Sequence, residues 1–447
     1  MKTQNLLFSA LVLSTSLSTP LVYAETPVSI MDIYQKAVEK DATIAAERAA
    51  AKAGEESETQ GLSQLLPTIT AGANLNYNYS KVTYADVSGR DSSDTYDSNG
   101  LNLQLTQALF NLSTHTAYSQ SKIAGNLSEI QLNIAEQNLI LRVAKAYFDI
   151  LSAKESLGVA KSQTVAFNEN LERAILTLKV GTATKTDKLE AQARYDLARA
   201  SELSASNQLA IANQSLASII GELPKALRSL NKETTLLEVN PQNMQHWVDA
   251  AIGNNLNLKL SQLGVKNSHL EVKKLKSDRL PTVNLVATGS LTNQYSNFIG
   301  SDSTNTNANL GIQLSMPIYT GGLMTSRIRQ AEALRTQQKF SHTDIQRQVV
   351  LQTQQAYLTA SNGFQQVAAL KQASISSASA LEATRKGMEV GVRTNLDLLN
   401  AQQQFYETER DYTVAKYNYL LTVLNLKAAA GNLEETDINR LNQLLEK

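Results

Sequence analysis

The chain contains no cysteine. Disulfides, zinc–thiolate sites and thiol catalysis are therefore excluded. It also lacks a charge surplus, with 41 Lys and Arg against 41 Asp and Glu. Phosphate-backbone binding draws on a basic excess, and no long run of Lys or Arg supplies one locally, so nucleic acid is not an expected partner. Histidine is scarce. His115, His246, His269 and His342 include no pair at i, i+4 and no H-E-x-x-H pattern, so no metal site and no cofactor are expected. No nucleophile–base constellation marks an enzyme. Beyond the first two dozen residues, no run is long and apolar enough to cross a bilayer as a helix.

What is present begins with a secretory signal. Lys2, an apolar stretch from Leu6 to Leu17 and the small-residue site Val22-Tyr23-Ala24 predict a cleaved segment over 1–24. Residue 25 is Glu, so a lipoprotein-type lipid anchor on it is not expected. Any membrane role then falls to strands.

The chain repeats itself once. Tyr147, Val180, Gly181, Thr184, Asp187, Leu189 and Gly221 recur as Tyr357, Val390, Gly391, Thr394, Asp397, Leu399 and Gly431, at a constant shift of 210 positions. Leu66-Pro67-Thr68 recurs as Leu280-Pro281-Thr282, shifted by 214. Each half reads as helix, strand, loop, strand, long helix, turn, helix. The first repeat is expected over 25–221, with strands near 67–84 and 100–110 and a turn at 181–184. A linker follows at 222–244. The second repeat is expected over 245–431, with strands near 281–293 and 308–319 and a turn at 391–394. A C-terminal segment completes the chain at 432–447.

The strands alternate. Ile69, Ala71, Ala73, Leu75, Tyr77 and Tyr79 share one face, with Thr70, Asn74, Asn76 and Asn78 on the other. Leu101, Leu103 and Leu105 oppose Asn102 and Gln104; Leu310, Ile312 and Leu314 oppose Asn309 and Gln313. Apolar-out, polar-in segments of about ten residues suit a water-filled membrane barrel, although a soluble sandwich shows the same alternation. Four strands fall short of the roughly eight that a barrel needs, so a spanning chain must oligomerise. Two copies give eight strands and three give twelve. The segments with Asp86, Asp91, Asp94 and Asp97, and from Ser301 to Asn309, read as exposed loops.

The helices are long. No proline occurs from Ser113 to Val180, enough for a helix of about 100 Å. Ile123, Leu127, Ile130, Ile134, Leu141, Ala144, Phe148 and Leu151 step by four and three, interrupted at Gln137, as in a coiled coil. Val180-Gly181 and Val390-Gly391 end helices in the manner of a glycine stop. Thr184-x-x-Asp187 and Thr394-x-x-Asp397 then form capping boxes for the helices that follow.

These segments resemble the TolC-type outer-membrane factor family over essentially the whole mature chain. The resemblance is carried by Gln107-Ala-Leu-Phe110, Met316-Pro-Ile-Tyr-Thr-Gly-Gly322, Gly391-Val-Arg-Thr-Asn-Leu-Asp-Leu-Leu-Asn400 and Tyr417-Asn-Tyr-Leu420. It implies a mixed α/β membrane protein: a homotrimer with a 12-stranded β-barrel, four strands per chain, in the outer-membrane lipid, continued by an α-helical coiled-coil barrel across the periplasm. It further implies a channel of tripartite efflux and type I secretion that catalyses nothing. Its partners would be a periplasmic adaptor (membrane fusion protein) and an inner-membrane pump of RND, MFS or ABC type. By position, Asp187, Thr186, Arg393 and Met388 fall on the periplasmic gate, and Asp397 and Asn400 on the pore constriction. Val180, Gly181, Thr182, Val390, Gly391 and Val392 fall on adaptor-docking tips. Met388 stands where the family pattern has tyrosine, and Asn400 where it has a second aspartate. The alternative is a periplasmic coiled-coil adaptor, which would not need four amphipathic strands.

Overall fold

The computed structural model describes residues 27–83, 85, 92–231, 236, 238–296 and 301–446. The expected signal segment, Asp86 and Asp91 lie outside the described residues. Ser29 opens α1 (Ile30–Lys40) with a capping box to Asp32. Asp41 then closes α1 and opens α2 (Ala42–Ser63), accepting from the Ile44 amide. The single helix expected before the first strand is thus a pair. Asn255 makes the same break between α5 (Met244–Asn254) and α6 (Leu256–Ser277). In each case a short polar side chain supplies the helix start that the apolar pattern does not signal.

Between these pairs run β1 (Thr68–Val82), β2 (Ser92–Phe110), α3 (Leu112–Lys179) and α4 (Lys185–Ile220). After α6 come β3 (Thr282–Ser296), β4 (Ser301–Ser315), α7 (Leu323–Glu389), α8 (Asn395–Ala429) and α9 (Glu435–Asn442). The same order of element types occurs twice. At 68 and 67 residues, α3 and α7 are each about 100 Å long.

The four strands form one antiparallel sheet in the order β1-β2-β3-β4. Its register carries the alternation across every strand. Ile69, Leu105, Ala287 and Leu310 lie side by side on one face; Thr70, Gln104, Thr288 and Asn309 do so on the other. On the polar face Asn102 lies against Gly72 and Asn74 against Gly100, where an added Cβ would come within 2.3 and 2.7 Å of the respective amide oxygens. The apolar face is bare: Leu75 is 85% exposed and Leu310 76%. No part of the described chain covers it. β1 and β4 keep free outer edges.

Two strands differ from expectation. β2 starts at Ser92, so Asp94 and Asp97 are ladder residues. β4 takes in Ser301 to Asn309, where composition predicts a loop, and stops before Met316 to Tyr319, where the sequence predicts strand. The ladder continues because Asn305, Asn307 and Asn309 pair with Thr292, Ser290 and Thr288. Pro317 has no amide to extend it below.

The main core lies where α1 and α9 pack against the middle of α3, the end of α4 and the end of α8. Ile30, Ile33, Tyr147, Phe148, Leu216, Tyr417 and Ile438 are its buried members. Tyr147 donates to the carbonyls of Arg228 (2.8 Å) and Val28 (3.3 Å), and burial pushes its phenol well above the ordinary range. The expected linker is therefore anchored. Leu227 and Leu230 are buried and form β-bridges to Val28 and Leu445.

Candidate functional site

The two interhelical turns are built alike. Each long helix stops on a glycine in the left-handed region, Gly181 at φ +81° and Gly391 at φ +78°. Thr182 N–H donates to Thr177 O (3.0 Å), and Val392 N–H to Gly387 O (2.9 Å), closing the last turn. The next helix begins at once. Oδ2 of Asp187 accepts from the Thr184 amide and hydroxyl, both at 2.8 Å, and Thr184 Oγ1 accepts from the Asp187 amide at 3.2 Å. Asp397 and Thr394 repeat the arrangement at 2.9, 2.9 and 3.1 Å. In both aspartates Oδ2 takes these bonds, and Oδ1 has no hydrogen-bond partner among the described residues. Both carboxyls sit below the ordinary range, chiefly because the threonine amides donate to them, then through the threonine hydroxyls. The Arg393 charge adds to the shift at Asp397.

Around these turns the expected docking residues are open. Val180, Val390 and Val392 are 73%, 75% and 74% exposed, with Thr182 and both glycines also exposed. Thr186 is exposed in the first turn of α4, and Met388 is half-buried in the last turn of α7. Arg393 is exposed and lies across Gly387, where an added Cβ would come within 2.8 Å of the Arg393 Cγ. Within one chain, Arg393 and Asp187 form no ion pair among the described residues.

The hairpins α3–α4 and α7–α8 do meet near their tips, where Leu399 and Asn400 find partners that the sequence does not point to. Leu399 is buried among Phe167, Leu171, Ala191 and Ala198 of the other hairpin. Arg194 Nη2 donates to Asn400 Oδ1 at 2.9 Å. Gln163 donates to Gln403 at 3.3 Å, and the buried Asn170 amide hydrogen-bonds Gln402. Leu399 is legible only as the repeat counterpart of Leu189. The polar pairs join positions more than 200 apart and had no local signature. Among the described residues, no cluster of three His, Cys, Asp or Glu is placed to hold a metal, and no helix is long and apolar enough to cross a membrane.

Residues 33–222 and 247–432 match the model of the outer membrane efflux protein family. The chain belongs to this family. Outer membrane protein TolC of Escherichia coli is 30% identical over 428 residues, covering 94% of this chain and 85% of that protein. Alkaline protease secretion protein AprF of Pseudomonas aeruginosa is 29% identical over 419 residues, covering 92% and 86%. Among solved structures, the outer membrane protein VceC of Vibrio cholerae superposes with a TM-score of 0.76 at 17% identity, over 90% of this chain and 96% of that one. That likeness establishes the shared fold of an outer membrane efflux protein: a four-stranded sheet carried on long helices.

Proposed function

We propose that this efflux-family chain is one third of an outer-membrane exit duct serving drug efflux and type I protein secretion, without catalysis of its own. The observation that carries this is the open sheet. Four strands with two free edges, one bare apolar face and one polar face have no stable place in a single chain in water. Three copies joined edge to edge give a closed 12-stranded barrel from the four strands of each, with lipid outside and water within. The helices then extend the passage by about 100 Å towards the inner membrane. A periplasmic adaptor would dock on the exposed tips at Val180–Thr182 and Val390–Val392, and an inner-membrane RND, MFS or ABC pump would supply the energy.

The narrow end holds the gate in this reading. Arg393 of one copy reaches Asp187 of its neighbour, beside Thr186 and Met388. Asp397 forms a ring of three like charges at the constriction. Asn400, a neutral amide, adds no charge to that ring, and its carbonyl accepts from Arg194. An adaptor alone would have no use for the bare sheet, which disfavours that alternative. Disrupting the gene tests the function. Drug sensitivity should rise and exported proteins should be lost from the medium; an unchanged strain on both counts would contradict the reading.

A further inference from the structure

At the junction of sheet and helices lies a cleft of about 280 Å³ between α3, α6 and α7. Its apolar rim is Leu112, the first residue of α3, and Leu280, two residues before β3. Behind the rim stand His269, Lys273 and Lys276 from α6 and Arg335 from α7. Glu332 pairs with Lys276 at 2.8 Å, and its carboxylate also feels the Arg335 charge. Lys273 has no ion pair among the described residues. The Arg335 Nε is buried without a hydrogen-bond partner. A buried guanidinium N–H left unpaired costs free energy, and an anion seated in the cleft would recover it.

The depth of the cleft says which anion. The bare apolar face of the sheet ends just above it, and Ile318 and Tyr319, 86% and 87% exposed, follow β4 at the same junction. An exposed tyrosine at such a boundary suits the headgroup level of a bilayer. An apolar rim facing hydrocarbon, with cations behind it, is the polarity of a phosphate ester on a glycerol carrying acyl chains. The cluster is not a generic property of the junction. The positions that the duplication matches to His269, Lys273 and Lys276, at the shift of 214, are Glu55, Thr59 and Leu62.

We propose that this cleft binds the phosphate of an anionic glycerophospholipid from the periplasmic leaflet, once per chain, with Lys273 and Arg335 as its principal ligands. The proposal rests on the outer-membrane reading above. The test is native mass spectrometry of the detergent-purified protein titrated with phosphatidylglycerol, with phosphatidylcholine and with inorganic phosphate. Phosphatidylglycerol should remain bound at one molecule per chain, in preference to phosphatidylcholine. Lys273→Glu, at an exposed position, and Arg335→Gln should each weaken it about tenfold, as expected for losing one charge-assisted contact, while Lys273→Arg retains it. Retention unchanged in both Lys273→Glu and Arg335→Gln, or displacement by equimolar inorganic phosphate, would overturn the proposal. Oligomer mass and channel conductance, read on the same samples, should not change. Their loss in the unsubstituted protein would count against the duct reading instead.

Discussion

In Asp397 the two carboxylate oxygens have separate roles. Oδ2 caps α8, while Oδ1 has no hydrogen-bond partner among the described residues and can face the passage. The cap and the charge can therefore be separated by substitution. Asp397→Asn keeps an acceptor oxygen for the Thr394 amide but removes the charge; Asp397→Ala removes both. Block by trivalent cations from the periplasmic side should weaken in both variants, and amide exchange in the first turn of α8 should quicken only in the alanine variant. The amide and hydroxyl of Thr394 hold the folded carboxyl below its usual value of about 3.9. In the parent protein block should fade as the pH falls and the three carboxylates become protonated; a block indifferent to acid would remove Asp397 from the constriction. At the neighbouring position, the Arg393 amide donates to Gly387 O at 3.2 Å, while its guanidinium has no hydrogen bond or ion pair within its own chain among the described residues, which leaves it available to the next subunit. A near-surface pair of this kind is worth about 1 kcal/mol, and three opening together would bias the gate by a few. Arg393→Ser should therefore raise single-channel conductance in bilayers; an unchanged value would remove Arg393 from the gate.

Among the elements, the tips offer the clearest test of docking. Gly391→Glu would force a side chain into the left-handed region, at a cost of about 1–2 kcal/mol, and so would confuse strain with lost contact. Val180 and Val390 have ordinary backbone angles, φ −89° and −93°. Val180→Glu and Val390→Glu should therefore leave the oligomer intact yet abolish export, checked by oligomer mass beside a drug-susceptibility assay. The elements also show what the sequence makes legible. β1 could be read because one face is apolar and the other polar. The upper part of β4 could not, because Ser303, Asn305 and Asn307 are polar and so are Asp302, Thr304 and Thr306 on the other face, leaving no contrast to distinguish a wetted strand from a loop. The long helices and their glycine stops were legible from proline-free length and Thr-x-x-Asp caps. The breaks at Asp41 and Asn255 were not, since a buried Asp41 depends on Arg142, 101 residues away and 2.9 Å distant. The same limit hid the Arg194–Asn400 contact. Asn400 shows in the sequence only as an uncharged residue; that its carbonyl accepts from an arginine 206 positions earlier has no local signature.

For the whole molecule, the central claim is that the chain is incomplete alone and closes as three. The core near α1 and α9 can stabilise one chain's helices, but it does nothing for the sheet above them. There Leu75, Leu101, Leu103, Leu310, Ile312 and Leu314 stand exposed. Only edge-to-edge partners and lipid remove both the open strand edges and the bare apolar face. The most direct measurement is the mass of single particles of the detergent-purified protein, combined with its conductance in a planar bilayer. The account requires one species at three times the chain mass that forms ion-conducting channels. A monomer that conducts ions, or a trimer that never inserts, would contradict it.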